Sequence, residues 1–324
     1  MKLISPTQYV KQAAELMRHA TKRIYVISMV VADHPNTHEF IEELEAAAKR
    51  GVEVVMTADV FTFGEVSGGF LPIKYYSPGA KDTHRMVKEL KKSGVKFSWL
   101  GRARVTLFNG RTHSKWCIID DEIFSFGGVN LYGDGIDQVD YMFRLHDPKL
   151  ANRLVDEQKR IQTAERRSSN YPSVAYEHGD ETVLIDGGII GQSVIYRRAC
   201  ELAEKAAHIT FVSQYGPTAK LLRILRKKEV SLYFNRTQQA DGLNRLVLGF
   251  TLFFTRLKTE YKNARYLHAK CLIFTMEDGS KVAITGSHNF AYTGVLLGTR
   301  EIALETHNPA VIKQLESFIK KEVA

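Results

Sequence analysis

Cysteine is scarce, with three in 324 residues. Cys117, Cys200 and Cys271 are odd in number, scattered and without a C-x-x-C spacing. That argues against a disulfide framework or a zinc site and fits a reducing cytoplasm. The chain also lacks any run approaching the roughly 20 apolar residues that a spanning helix needs, and Met1 to Pro6 carry no apolar segment of the signal-peptide kind. Membrane contact is therefore expected to be peripheral. Acidic residues are in deficit, 36 against 45 basic, giving a formal charge of +9 and a pI near 9.3. Such a balance suits polyanionic partners, an anionic lipid surface or a nucleic acid, and does not choose between them. The 44% hydrophobic content is enough to bury one large core or two modest ones.

The order of elements repeats. Ser5-Pro6-Thr7-Gln8 has capping-box spacing with proline at the first helical position, and Tyr9, Ala13, Leu16, Met17 and Ala20 follow at helical intervals. Ile24 to Val31 reads as a buried parallel strand. Asn36 opens a helix through Phe40, Ile41 and Leu44, and Val52 to Met56 makes the next strand. The second half repeats this with a helix over 193–206, a strand over 209–213, a helix over 218–228 and a strand over 230–234. Asp140 to Pro148 then aligns without gaps on Glu301 to Pro309, in each case a strand running into an Asp/Asn cap, a proline and a closing helix. Duplication explains the match. The expected organisation is α/β, with lobes over 1–161 and 181–324 and a polar linker over 162–180.

Each half carries a histidine-x-lysine pair. His113 and Lys115 precede Gly127-Gly128-Val129-Asn130, and His268 and Lys270 precede Gly286-Ser287-His288-Asn289. On a strand the two side chains of each pair share a face, and each apolar hairpin returns the chain to its glycine-containing tail. Substitution at a phosphodiester needs a nucleophile, a proton for the leaving oxygen, and donors for the nonbridging oxygens. Two imidazoles can supply the first two, and Lys115, Lys270, Asn130 and Asn289 the third, with Gly128 and Ser287 beside them. A catalytic imidazole also needs its other nitrogen held, and Asp140 and Glu301 stand at equivalent repeat positions for that. His288, inside the second tail, is a further candidate for substrate contact. Upstream of the second pair, Leu243 to Leu257 is apolar, with Phe250, Phe253 and Phe254 bordered by Arg245, Arg256, Lys258, Lys262 and Arg265. An interfacial element has this composition, and so does a buried helix.

These residues resemble the phospholipase D superfamily, the HKD family, whose signature is H-x-K-x4-D followed by G-[SG]-x-N, usually present twice. His113, Lys115 and Asp120 complete the first copy. In the second, Thr275 stands where the aspartate is expected. The resemblance covers both halves and implies two pseudo-symmetric α-β-α lobes packed around one shared active site, no cofactor or metal, and a phosphohistidine intermediate. It implies His113 as nucleophile and His268 as general acid then base, with the reverse order open. Most similar is the cardiolipin synthase and phosphatidyltransferase branch, although the two-helix membrane anchor typical of cardiolipin synthases is absent from this sequence. That branch implies an anionic phospholipid substrate, a monomer, and a cytoplasmic protein peripheral on the inner face of the cell membrane. The competing expectation is a metal-independent nuclease on DNA or RNA.

Overall fold

The computed structural model describes residues 1–68, 77–101, 110–240 and 242–324. The chain forms two units, one of residues 1–125, 129–137 and 141–170, the other of residues 126–128, 138–140 and 171–324.

The first unit is a seven-stranded sheet of β1 (Lys2–Ile4), β2 (Arg23–Ser28), β3 (Glu53–Asp59), β4 (Lys96–Leu100), β5 (Trp116–Ile119), β6 (Glu122–Ser125) and β7 (Met142–His146). Their spatial order is β1-β7-β6-β5-β2-β3-β4. β2, β3 and β4 are parallel, and the rest pair antiparallel. Its helices are α1 (Pro6–His19), α2 (His38–Lys49), α3 (Thr62–Val66), α4 (Pro78–Lys92), α5 (Gly133–Asp137) and α6 (Pro148–Arg166). Tyr9, Met17, Phe40, Leu44, Met86 and Leu90 from α1, α2 and α4 form one core with Ile24, Val26, Val54 and Met56 of the sheet. α6 packs on β2 and β6, and its buried Gln158 accepts from Trp116 Nε1 at 2.9 Å and donates to the Val26 carbonyl at 2.9 Å.

The second unit repeats the plan with β8 (Val174–His178), β9 (Glu181–Gly187), β10 (His208–Val212), β11 (Glu229–Tyr233), β12 (Cys271–Thr275), β13 (Lys281–Gly286) and β14 (Arg300–Thr306), in the order β11-β10-β12-β13-β14-β9-β8. β10 and β11 form the parallel pair. Its helices are α7 (Val194–Lys205), α8 (Ala219–Leu225), α9 (Gly242–Thr255), α10 (Tyr292–Leu297) and α11 (Pro309–Phe318). Residues of α7 and α8 pack on Ile209, Phe211, Leu272 and Ile284.

Local chemistry explains the boundaries. Ser5 Oγ accepts from Gln8 N while the Gln8 side chain accepts from Ser5 N, closing the expected box. Asp147 caps α6 through Leu150 N at 2.8 Å and Asn308 caps α11 through Ala310 N at 2.9 Å, each with proline next in the chain. Two expectations need correction. Residues 162–180 are not simply a linker: α6 continues to Arg166 because Ile161 and Ala164 keep an apolar stripe buried, and Val174–His178 is an edge strand on β9. The histidine-lysine pairs also precede β5 and β12 instead of lying within them. Among the described residues no helix is long and apolar enough to cross a membrane, and all three cysteines are free and buried.

Candidate active site

In the first unit the extended segment before β5 carries His113, 8% exposed, and Lys115, 1% exposed. The Lys115 ammonium turns back on the chain and donates to the His113 carbonyl at 2.8 Å. Ser125 Oγ on the return strand donates to the Lys115 carbonyl at 3.0 Å. Asn130 is buried, and its Oδ1 accepts from Val30 N at 3.4 Å. The tail is thereby anchored to the chain that follows β2.

The second unit builds the same loop. His268 and Lys270 are buried, and the Lys270 ammonium again donates to the histidine carbonyl two residues back. His268 Nδ1 meets Asp140 Oδ2 at 2.8 Å, and both side chains are withdrawn from solvent. A carboxylate on Nδ1 fixes the tautomer that presents Nε2 and stabilises the imidazolium. Asp140 is itself held by Gly128 N at 3.2 Å. A Cβ at Gly128 would lie 2.6 Å from Asp140 Oδ2 and 2.8 Å from the His268 carbonyl, so only glycine admits this approach. His268 N and Ala269 N both donate to the Val139 carbonyl, at 3.0 and 2.9 Å. The short segments carrying Gly128 and Asp140 thus belong to the second unit although they lie in the first half of the sequence.

The remaining expected residues divide. Glu301 is buried on β14 and accepts from Ser287 Oγ, so the Ser287 hydroxyl is committed to a carboxylate, just as the Gly128 N–H is. Asn289 Oδ1 is buried and has no hydrogen-bond partner among the described residues. His288 accepts Phe290 N at Nδ1, at 2.8 Å, and lies against the Tyr196 and Phe290 rings, a packing role. Asp120 is placed away from its motif partners, at the other end of β5, with φ 52°. Its carboxylate accepts from Thr21, Lys22 and Arg23 N at 2.8 to 3.0 Å. Burial raises this carboxyl, but those N–H groups outweigh it and hold it below the usual range. Asp120, which completes the first motif copy in the sequence, thus ties β5 to the start of β2. Thr275, its counterpart, needs only its carbonyl, which accepts from Ala207 N at 2.9 Å. The sequence reading missed Asp186, which lies opposite Glu301 in the β9–β14 register. It accepts from Ser193 Oγ at 2.5 Å and Val194 N at 2.7 Å, and burial pushes its carboxyl up to about 7.

Residues 14–162 match the family model described as cardiolipin synthase, PLD-like domain. Residues 14–162 thus form a phospholipase D-like domain. No match was found among the curated proteins. Among solved structures, phosphatidylserine synthase from Haemophilus influenzae Rd KW20 is similar in fold at a TM-score of 0.73 and 14% identity, over 100% of this chain and 86% of that one. Polyphosphate kinase from Porphyromonas gingivalis is similar at 0.63 and 12%, over 98% of this chain and 49% of that one, so this phospholipase D-like chain spans about half the kinase's length.

Two predictions follow from the charges. Asp120→Ala should lower the free energy of unfolding by roughly 1–2 kcal/mol, as loss of a helix-cap acceptor does, with little change in turnover; urea unfolding beside steady-state kinetics reads both, and a collapse of turnover in folded protein would contradict the structural role. Burial pushes the Lys270 ammonium down to about 8 against the pull of Asp140 and Glu301. Protonated Lys270 is thus lost as pH rises through that value, and turnover should fall there, with Lys270→Arg carrying the alkaline limb higher; a flat pH–rate profile across that point would refute it.

Proposed function

We propose that this protein is a phospholipase D-type phosphatidyltransferase acting on phospholipid head groups, as cardiolipin synthase-like enzymes do. The observation that carries the reading is the buried His268–Asp140 pair beside Lys270, in a loop that repeats the His113–Lys115 arrangement. A neutral His113 nitrogen attacks phosphorus, the bond from phosphorus to the head-group oxygen breaks, and that oxygen takes the proton of His268. The acceptor alcohol then gives its proton to His268 and attacks phosphorus, and the phosphorus–nitrogen bond breaks. Water in place of the alcohol gives hydrolysis. Lys115, Lys270, Asn130 and Asn289 supply charge and donors to the nonbridging oxygens. Asp140 orients His268, and Glu301 is the equivalent carboxylate of the repeat. Neither a metal nor a cofactor enters this scheme.

The protein works as a monomer, cytoplasmic and peripheral on the inner face of the cell membrane. α9 supports a lipid surface. Leu248 is buried on one side of the helix and Leu252 packs on the core, whereas Leu246 and Phe253, one heptad apart on the opposite side, are 61% and 76% exposed. Arg245, Arg256 and Lys258 are exposed beside them, the combination an anionic interface attracts. The side chains of Phe250 and Phe254 lie outside the described residues.

Labelled phosphatidylglycerol in detergent micelles and, separately, a single-stranded oligonucleotide in EDTA distinguish this reading from a nuclease, which the charge of +9 would also suit. Lipid turnover that disappears in His113→Ala and in His268→Ala is expected. Oligonucleotide cleavage without lipid turnover would overturn the lipid assignment. Replacing Leu246 and Phe253 together by Asp should weaken binding to phosphatidylglycerol vesicles by about tenfold or more, read by co-sedimentation; undiminished binding would remove α9 from the interface.

A further inference from the structure

The reacting side chains stand in lead-in segments, outside the ladders of β5 and β12, so regular strand pairing does not fix their backbone. A histidine used in displacement must be placed to within a fraction of an ångström. Something else must hold it.

In each unit the residue just before the histidine is gripped by a buried side chain from the C-terminal end of the second parallel strand. Asp59, fully buried at the end of β3, accepts Thr112 N at Oδ2, at 3.1 Å. Asn235, fully buried two residues beyond β11, accepts Leu267 N at Oδ1, at 2.8 Å, and returns a bond from Nδ2 to the Leu267 carbonyl at 2.7 Å. The two are repeat equivalents: Glu53-Val54-Val55-Met56-Thr57-Ala58-Asp59 lies without gaps on Glu229-Val230-Ser231-Leu232-Tyr233-Phe234-Asn235. Each strand's first residue also occupies the same register, Glu53 opposite Arg23 and Glu229 opposite His208.

The chemistry has diverged while the grip is kept. A buried carboxylate needs a counter-charge, and Arg111, 4% exposed, donates Nη1 to Asp59 Oδ1 at 2.8 Å and Nη2 to the Gly101 carbonyl at 3.3 Å. A neutral amide needs none. Asn235 instead spends its donor on the Leu267 and Gln214 carbonyls, at 2.7 and 3.0 Å.

We infer that Asp59 and Asn235 are a matched pair of positioning residues, each fixing one reactive histidine through the peptide that precedes it. The inference rests on reading His113 and His268 as the reacting groups. Neither residue touches substrate, so KM is unaffected and the loss falls on kcat. Both act as hydrogen-bond acceptors, so Asp59→Asn retains the bond to Thr112 N whereas Asp59→Ala does not.

The test compares Asn235→Ala, Asn235→Asp, Asp59→Asn and Asp59→Ala with the wild-type chain and with His113→Ala and His268→Ala. Steady-state kinetics is paired with nitrogen-15 spectra of the histidine rings. Asn235→Ala is expected to lower kcat about tenfold or more, to leave KM within about twofold, and to shift the ring signals of His268 while sparing those of His113. Asp59→Ala should shift those of His113, and Asp59→Asn should recover much of the lost kcat. If Asn235→Ala does not fold, Asn235→Asp, which keeps the acceptor for Leu267 N, is expected to leave the His268 ring signals near their wild-type positions, and a displacement as large as that of His113 in Asp59→Ala would overturn the role. Wild-type kcat and unmoved ring signals in folded Asn235→Ala, beside inactive histidine variants, would overturn the positioning role alone. Active histidine variants would instead overturn the reading of the site, and the ring signals would still decide whether the grip exists.

Discussion

Charge removed from water has to be answered within hydrogen-bond distance, and this governs the second motif. Lys270 is wholly buried with its ammonium on the His268 carbonyl, and its charge is sustained by Asp140 and Glu301 against the cost of burial. His268 is buried beside the same Asp140. Removing either carboxylate would weaken the compensation of a buried cation in a low-dielectric setting, which is costly. The glycine at 128 follows from this, because the backbone must come close enough to donate to Asp140. So does the local path of the chain, in which Val139 receives both His268 N and Ala269 N. The carboxylate is what makes an imidazole next to an ammonium group tolerable in a buried place.

The duplication gives the same solution twice with different side chains. In both copies the lysine folds back onto the carbonyl of its histidine, and in both a buried oxygen at the strand end takes the N–H before the histidine. The divergent positions are those where a role can be met in more than one way. An aspartate with an arginine serves in one copy and an asparagine in the other. Asp120 binds three N–H groups of the preceding loop, whereas its counterpart Thr275 contributes a main-chain carbonyl. A motif aspartate that ties a hairpin to a loop can be replaced when backbone does the tying.

Much of this was legible in the sequence because the signals were local or repeated. Ser5 with Gln8, Asp147-Pro148 and Asn308-Pro309 mark helix starts through short-range hydrogen bonds. The paired motifs marked both site loops, and the gapless match of 140–148 on 301–309 marked Asp140 and Glu301. What was not legible was tertiary. The histidine-lysine pairs read as lying on strands, but in the first unit the ladder begins only at Trp116. Ser287 and Gly128 read as phosphate donors because sequence does not reveal that a carboxylate claims them first. Asp59, Asn235 and Asp186 carry no motif of their own and gain meaning only from what folds against them. The polar run after Ile161 looked like a linker because the exposed face of a helix end and an edge strand have the same composition.

The two-step scheme requires a covalent bond between phosphorus and a named nitrogen. Rapid quench in alkali of enzyme mixed with substrate labelled in the phosphoryl group, followed by peptide mass spectrometry, tests this most directly. The account predicts an alkali-stable, acid-labile adduct on His113 in the wild-type enzyme. An adduct that persists in His113→Ala, or turnover with no adduct at any histidine, would contradict it.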